Sequence, residues 1–181
     1  MNSKFYLNTI LKTYKNSFDI TKNYNFDNDN FSAYGYFNSK AEKYILVKEV
    51  NLWEVNSFEH IFFIELEKLK EENFLYFENL LKEKLEKNFV RKNKKFPEKN
   101  HMNSFITLVF ISSSEVDEKL KNKIEKFKFE KTYLFSIRGF FSTKLLVVDL
   151  EKKKIFYNKP CKEIKNIFEN TLKFNREEIY E

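Results

Sequence analysis

The sequence predicts one α+β domain built on a largely antiparallel mixed sheet flanked by helices, in the element order αβββα-βαβββα. Three observations lead there. The chain has 181 residues, the length of one ordinary domain. Apolar residues recur at helical spacing in some segments and at every second position in others. Strands also come in runs of three rather than alternating strictly with helices, which is α+β order and not the parallel βαβ kind.

Residues 3–17 read as an amphipathic helix. Ser3 can cap it, and Leu7, Ile10, Leu11 and Tyr14 fall at i, i+3, i+4 and i+7. The cluster Asn23-Tyr24-Asn25-Phe26-Asp27-Asn28-Asp29-Asn30 breaks any regular pattern and reads as a loop. It lacks the Asp-x-Asp-x-Asp-Gly…Glu order of a calcium loop. Strands are expected at Phe31–Asn38, Glu42–Val50 and Ser57–Glu65, joined by turns at Ser39-Lys40 and Asn51–Asn56. In the third, Phe58, His60, Phe62 and Ile64 alternate with Glu59, Ile61 and Phe63, and bulk on both faces predicts a central strand covered on two sides. Residues 71–90 read as a longer helix, with Phe74, Phe77, Leu81, Leu85 and Phe89 on one face. The polar, proline-containing stretch 91–100 ends it. That stretch is the one candidate for an internal linker. Neither flanking half makes a layered domain alone, so residues 1–181 are expected to form a single domain.

The second half reads strand 104–112, helix 115–127, strands 129–138, 143–150 and 154–158, and helix 161–174. Val116, Leu120, Ile124 and Phe127 mark the first of these helices, and Glu115, Asp117 and Glu118 favour its N-terminus. Glu151-Lys152-Lys153 is a tight connection between two β-rich runs, and Pro160 suits the first turn of the last helix.

Composition narrows the function. Lys and Arg number 33 against 27 Asp and Glu, a net charge of +6, and lysine outnumbers arginine 30 to 3. Lysine, asparagine, isoleucine and phenylalanine are the residues an AT-rich genome encodes by default. Arginine, the residue suited to bidentate phosphate and guanine contacts, is scarce, so the basic charge by itself speaks weakly for nucleic acid. One cysteine excludes a disulfide framework and a Cys-based zinc site, and points to a reducing compartment. Two glycines leave no glycine-rich phosphate loop. The start, Met1-Asn2-Ser3-Lys4-Phe5, lacks the apolar run of a signal peptide, and the apolar stretches Ile61–Ile64 and Leu145–Val148 are far below spanning length. A cytoplasmic location with no membrane partner is expected.

Three stretches carry a resemblance. They are Glu42-Lys43-Tyr44-Ile45-Leu46 with Glu59-His60-Ile61-Phe62-Phe63; His101-Met102-Asn103-Ser104-Phe105-Ile106-Thr107; and Ile124 to Lys131 running through Gly139, Lys144-Leu145 and Val148-Asp149-Leu150 to Asn158-Lys159. Together they resemble an uncharacterised bacterial family of low-GC anaerobes, a domain of unknown function, across nearly the whole chain. The family is similar in having an acidic residue before the His-Met pair. This chain has Asn100 there, which argues against a carboxylate–histidine pair carrying chemistry. The resemblance implies a single domain and brings no activity.

The candidate chemistry is sparse. His60 sits inside an apolar strand and reads as a core residue. His101 follows the basic linker and starts a strand, where a half-exposed ring could act as acid, base or ligand. Two histidines cannot build a His₃ metal site and no HExxH occurs. The αβββαβ opening has the order of metal-dependent nucleases by fold-level analogy, but the carboxylates offered (Glu42, Glu49, Glu54, Glu59, Glu65, Glu67) lack the strand Asp and Glu-x-Lys arrangement. Cys161 after Pro160 has no partner histidine that can be placed. Lysine clusters at 91–99, 119–131 and 152–165 interleave with aromatics, which could bind a phosphate backbone and stack bases. The expected function is therefore a non-catalytic binding or regulatory module with a protein partner. The alternative is a nucleic-acid-binding protein or metal-dependent nuclease. No catalytic residue, metal or cofactor is assigned. The binding surface is expected near His101, Lys128, Lys131, Arg138, Lys144 and Lys159.

Overall fold

Helix α1 (Ser3–Tyr14) forms as its periodicity predicts and buries Tyr6, Leu7, Ile10, Leu11 and Tyr14. The Asn2 side chain, not Ser3, caps it by accepting from the Lys4 amide at 2.8 Å. In this computed structural model, which describes residues 2–43 and 53–174, the chain then runs β1 (Asp19–Phe26), β2 (Asp29–Lys43), β3 (Trp53–Leu66), α2 (Glu71–Leu80 continuing as a π-helix, Leu81–Val90) and β4 (His101–Ser112). The second half adds α3 (Glu118–Lys126), β5 (Glu130–Thr132), β6 (Phe140–Asp149), β7 (Lys154–Tyr157), a 3₁₀ turn (Lys159–Glu163) and α4 (Lys165–Phe174). The element order is the one the sequence predicts.

The seven described strands make one mixed sheet in the order β1-β2-β3-β4-β6, with both β5 and β7 on the far edge of β6. The hairpins β1–β2 and β2–β3 are antiparallel, the central pairs β3–β4 and β4–β6 are parallel, and β5 and β7 pair antiparallel with β6. The two parallel pairs need crossover helices, and α2 and α3 supply them on the same face. That face carries Phe31, Phe62, Ile64, Ile106, Leu108, Phe110, Leu145 and Val147 against Phe74, Phe77, Leu81, Leu85, Leu120 and Ile124. The opposite face carries Ala33, Ile61, Phe63, Val109, Ile111, Leu146 and Val148 against α1 and α4. Strand β3 is thus covered on both sides, as its two bulky faces predict.

Several segments depart from the sequence-based expectation. Ser39 and Lys40 are strand rather than turn, β3 begins inside the turn expected at Asn51–Asn56, and the helix expected over 161–174 opens as a 3₁₀ turn. Four larger departures each have a physical reason. The Asn/Asp cluster is not a loop: residues 19–26 form the edge strand β1, and only Asp27 and Asn28 turn. An edge strand keeps polar residues in water, so its pattern is hidden, and Asp27 takes the left-handed conformation (φ 56°) that Asp tolerates. Of the strand expected at Glu42–Val50, residues 42 and 43 end β2 opposite Glu54 and Trp53, and the rest lies outside the described residues. The strand expected over 129–138 pairs only at Glu130–Thr132 before the chain turns out of the sheet. The helix over 71–90 is continuous, but its second half widens, burying Leu81, Leu85, Glu86 and Val90 at a longer repeat than the α-helical 3.6.

Candidate functional site

The outer edge of β6 brings together four of the six residues expected from sequence. Strand β5 covers Phe140–Ser142 and β7 covers Leu146–Asp149, leaving Thr143–Leu145, which pair with β4 on their inner side, without a strand partner on this outer edge. Buried Asn158 closes that gap. Its Oδ1 accepts from the Leu145 amide at 2.9 Å, and its Nδ2 donates to the Thr143 and Phe127 carbonyls at 2.9 and 3.2 Å. Beside this break a cleft of about 760 Å³ opens. Its walls are Phe105 of β4, residues 125–128 at the end of α3, β5, the first half of β6, and the 159–163 turn.

Four of the six residues expected from sequence, Lys128, Lys131, Lys144 and Lys159, line this one cleft. Their surroundings differ. Lys144 is 5% exposed; its Nζ lies 3.1 Å from both Glu59 carboxylate oxygens and 4.4 Å from the Phe105 ring centroid. The Thr107 hydroxyl donates to Glu59 Oε1 at 2.8 Å, so a polar triad spans the three parallel strands. Lys128 pairs with Glu130 at 3.1 Å. Lys131 reaches Glu86 at 2.9 Å. Lys126, Lys159 and Lys162 have no carboxylate partner among the described residues. Phe105, Phe127, Phe140 and Phe141 provide the apolar part of the lining.

Glu86, which sequence reasoning missed, anchors the wall. It is fully buried in the π-helical stretch and accepts from Arg91 Nε and Nη2 at 2.7 and 2.9 Å, from Lys131, and from the Tyr133 hydroxyl at 2.5 Å. Burial pushes its carboxyl up, but the hydrogen bonds from Arg91, Lys131 and Tyr133 outweigh that and hold it below the usual range. Two cations share this one carboxylate, so one positive charge is left over at the cleft wall. A glutamate within a lysine-rich helix carries no signal of burial, and the altered helical repeat conceals its inward direction.

His101 and Arg138 lie together at the base of the β5–β6 connection. The His101 ring is buried rather than half-exposed. Its Nδ1 donates to the Arg138 carbonyl at 2.7 Å, which leaves Nε2 to accept from the Ser104 hydroxyl, also at 2.7 Å. Burial holds its pKa down, against the Arg138 carbonyl and Glu98, which act upward. Ser104 is fully buried and His101 is 5% exposed. His60 is core, as predicted, with Nδ1 2.7 Å from Tyr34 Oη; burial, aided by Lys92, lowers its pKa to about 4. Cys161 is buried, and desolvation lifts its thiol to about 12, far from a nucleophile's range. Among the described residues no three His, Cys, Asp or Glu side chains converge as a metal site needs, and no described helix is long and apolar enough to cross a membrane.

Above Arg138 the connection forms a knuckle. Leu134, Phe135 and Ser136 are consecutive left-handed residues (φ 49°, 52° and 70°). The Tyr133 amide donates to the Gly139 carbonyl at 3.0 Å and the Arg138 amide to the Tyr133 carbonyl at 3.1 Å, closing the loop on itself. Phe135 is 99% exposed and Ile137 76%, with Leu134, Phe140 and Met102 partly exposed alongside. Gly139 (φ 69°) packs so tightly that a Cβ there would sit 2.0 Å from the Met102 carbonyl oxygen.

Fold and site together define a three-layer α+β domain with a lysine- and phenylalanine-lined cleft at one sheet edge and an apolar knuckle beside it. The chain belongs to the family described as a domain of unknown function, DUF8052, which it matches over residues 2–170. No curated protein and no solved structure matches it.

Proposed function

We propose that the protein is a non-catalytic binding module that docks a protein partner through the Tyr133–Gly139 knuckle. The observation that carries this reading is the display of Phe135 and Ile137 in water on a loop whose backbone is held by its own hydrogen bonds. Each non-glycine left-handed residue costs about 1–2 kcal/mol, and such strain is kept where the surroundings enforce it, commonly at functional positions. Large apolar side chains on a preorganised loop lose little entropy on binding and suit a partner's apolar socket. Hydrogen bonding of both His101 ring nitrogens and burial of His60, Cys161 and Ser104 support a role that is not catalytic. The lysine-rich, arginine-poor composition supports a bacterium of low-GC genome, and a lone unpaired cysteine supports a cytoplasmic setting.

Tagged protein pulled from native lysate, with and without nuclease, tests the reading. A stoichiometric protein partner that survives nuclease and is lost with F135S/I137S is the expected result. Copurification of nucleic acid alone, released by moderate salt, would replace it with the nucleic-acid reading that the cleft lysines favour.

A further inference from the structure

We infer that the cleft at the β6 edge is a binding site for a small amphipathic organic anion: an aryl or acyl body carrying one carboxylate, sulfonate or phosphate. This goes beyond the knuckle and does not depend on it. The cleft's size, about 760 Å³, falls in the range of small-molecule sites. Its lining includes Phe141, Ser142 and Lys144, which are themselves buried, so the floor of the cleft is ordered core rather than mobile surface side chains.

Charge selects the ligand's head. Six lysines and three glutamates line the cleft. Lys144 is neutralised by Glu59 and Lys128 by Glu130. Lys131 shares Glu86 with Arg91 and so keeps surplus positive charge. Lys126, Lys159 and Lys162 add three cations, against the two remaining carboxylates, Glu125 and Glu163. The balance is positive at a site whose other wall is Phe105, Phe127, Phe140 and Phe141, with the Phe105 and Phe140 rings edge to face at 6.1 Å. An aromatic recess beside cations fits a molecule that is apolar at one end and anionic at the other.

The test uses 8-anilinonaphthalene-1-sulfonate as probe and neutral N-phenyl-1-naphthylamine as its uncharged counterpart, each followed by fluorescence titration of the whole chain. One saturable sulfonate site is expected. The exposed-residue variant K126E/K159E/K162E should weaken the sulfonate at least tenfold and leave the neutral probe within twofold, while F135S/I137S should change neither. In the unaltered protein, amide NMR shifts caused by the sulfonate should centre on Thr132, Ser142 and Lys144, which reads the site without any variant. Sulfonate affinity within twofold in the triple variant, shifts centred elsewhere, or displacement of the probe by a 20-nucleotide single strand at lower concentration than by octanoate would overturn the proposal; the last would make the cleft a nucleic-acid site.

Discussion

Replacing Glu86 with alanine strikes the contact that ties the π-helical stretch of α2 to β5. The carboxylate is fully buried and accepts four hydrogen bonds from three side chains, two of them cationic. Arg91 and Lys131 are partly exposed and can turn to water, so their loss is discounted. Tyr133 is buried and cannot, so its hydroxyl is left without an acceptor, at about 1–3 kcal/mol. With the lost charge-assisted bonds the total comes to about 3 kcal/mol, the low end of the range for breaking a buried ionic contact. Urea unfolding followed by circular dichroism measures it. With a slope of about 2 kcal/mol/M, the midpoint should fall by roughly 1.5 M and the slope should hold. Y133F should cost about 1 kcal/mol in the native chain and almost nothing beside E86A, since the two share one bond. A midpoint change below about 0.3 M, or additive effects of the two substitutions, would refute the reasoning.

Three further outcomes follow from the same geometry. His60, with its pKa lowered to about 4, resists protonation when folded while the unfolded chain protonates near 6.5, so stability falls as pH drops between those values, by at most about 1.4 kcal/mol per pH unit. With only two histidines, a proton NMR titration resolves the ring directly, and a midpoint above 6 would contradict the burial argument. Gly139→Ala forces a Cβ against the Met102 carbonyl at a left-handed position and should lower the melting temperature by roughly 4–8 °C, about 2 kcal/mol for a chain of this size; an unchanged melt would mean the loop is slack. Cys161 should ignore a thiol-reactive disulfide reagent at pH 8 until urea unfolds the chain, whereas prompt labelling would place it at the surface.

What was legible in the sequence was whatever a single element reports by its own periodicity. Leu7, Ile10, Leu11 and Tyr14 announce α1, and the double-sided β3 announces a central strand, because burial writes directly onto spacing. Strand β1 was hidden because an edge strand half in water has little apolar pattern to show. The knuckle reads as strand because Tyr133, Leu134, Phe135 and Ile137 favour extended structure on their own; only the closure of the loop around Gly139 takes them out of the sheet. Four of the six cleft lysines, Lys128, Lys131, Lys144 and Lys159, stand out in three separate segments of the sequence, whereas Lys126 and Lys162 do not. Their meeting depends on β5 and the 159–163 turn flanking the same strand, which no local pattern records. Glu86 was invisible, since its burial comes from a change of helical repeat.

The most direct measurement of the central claim is site-specific photocrosslinking in living cells, with benzoylphenylalanine at position 135 and, as a control on a different exposed face, at position 76. The account predicts a discrete protein adduct from position 135 and none from position 76. No adduct at 135, the same adducts from both positions, or an adduct removed by nuclease would contradict it.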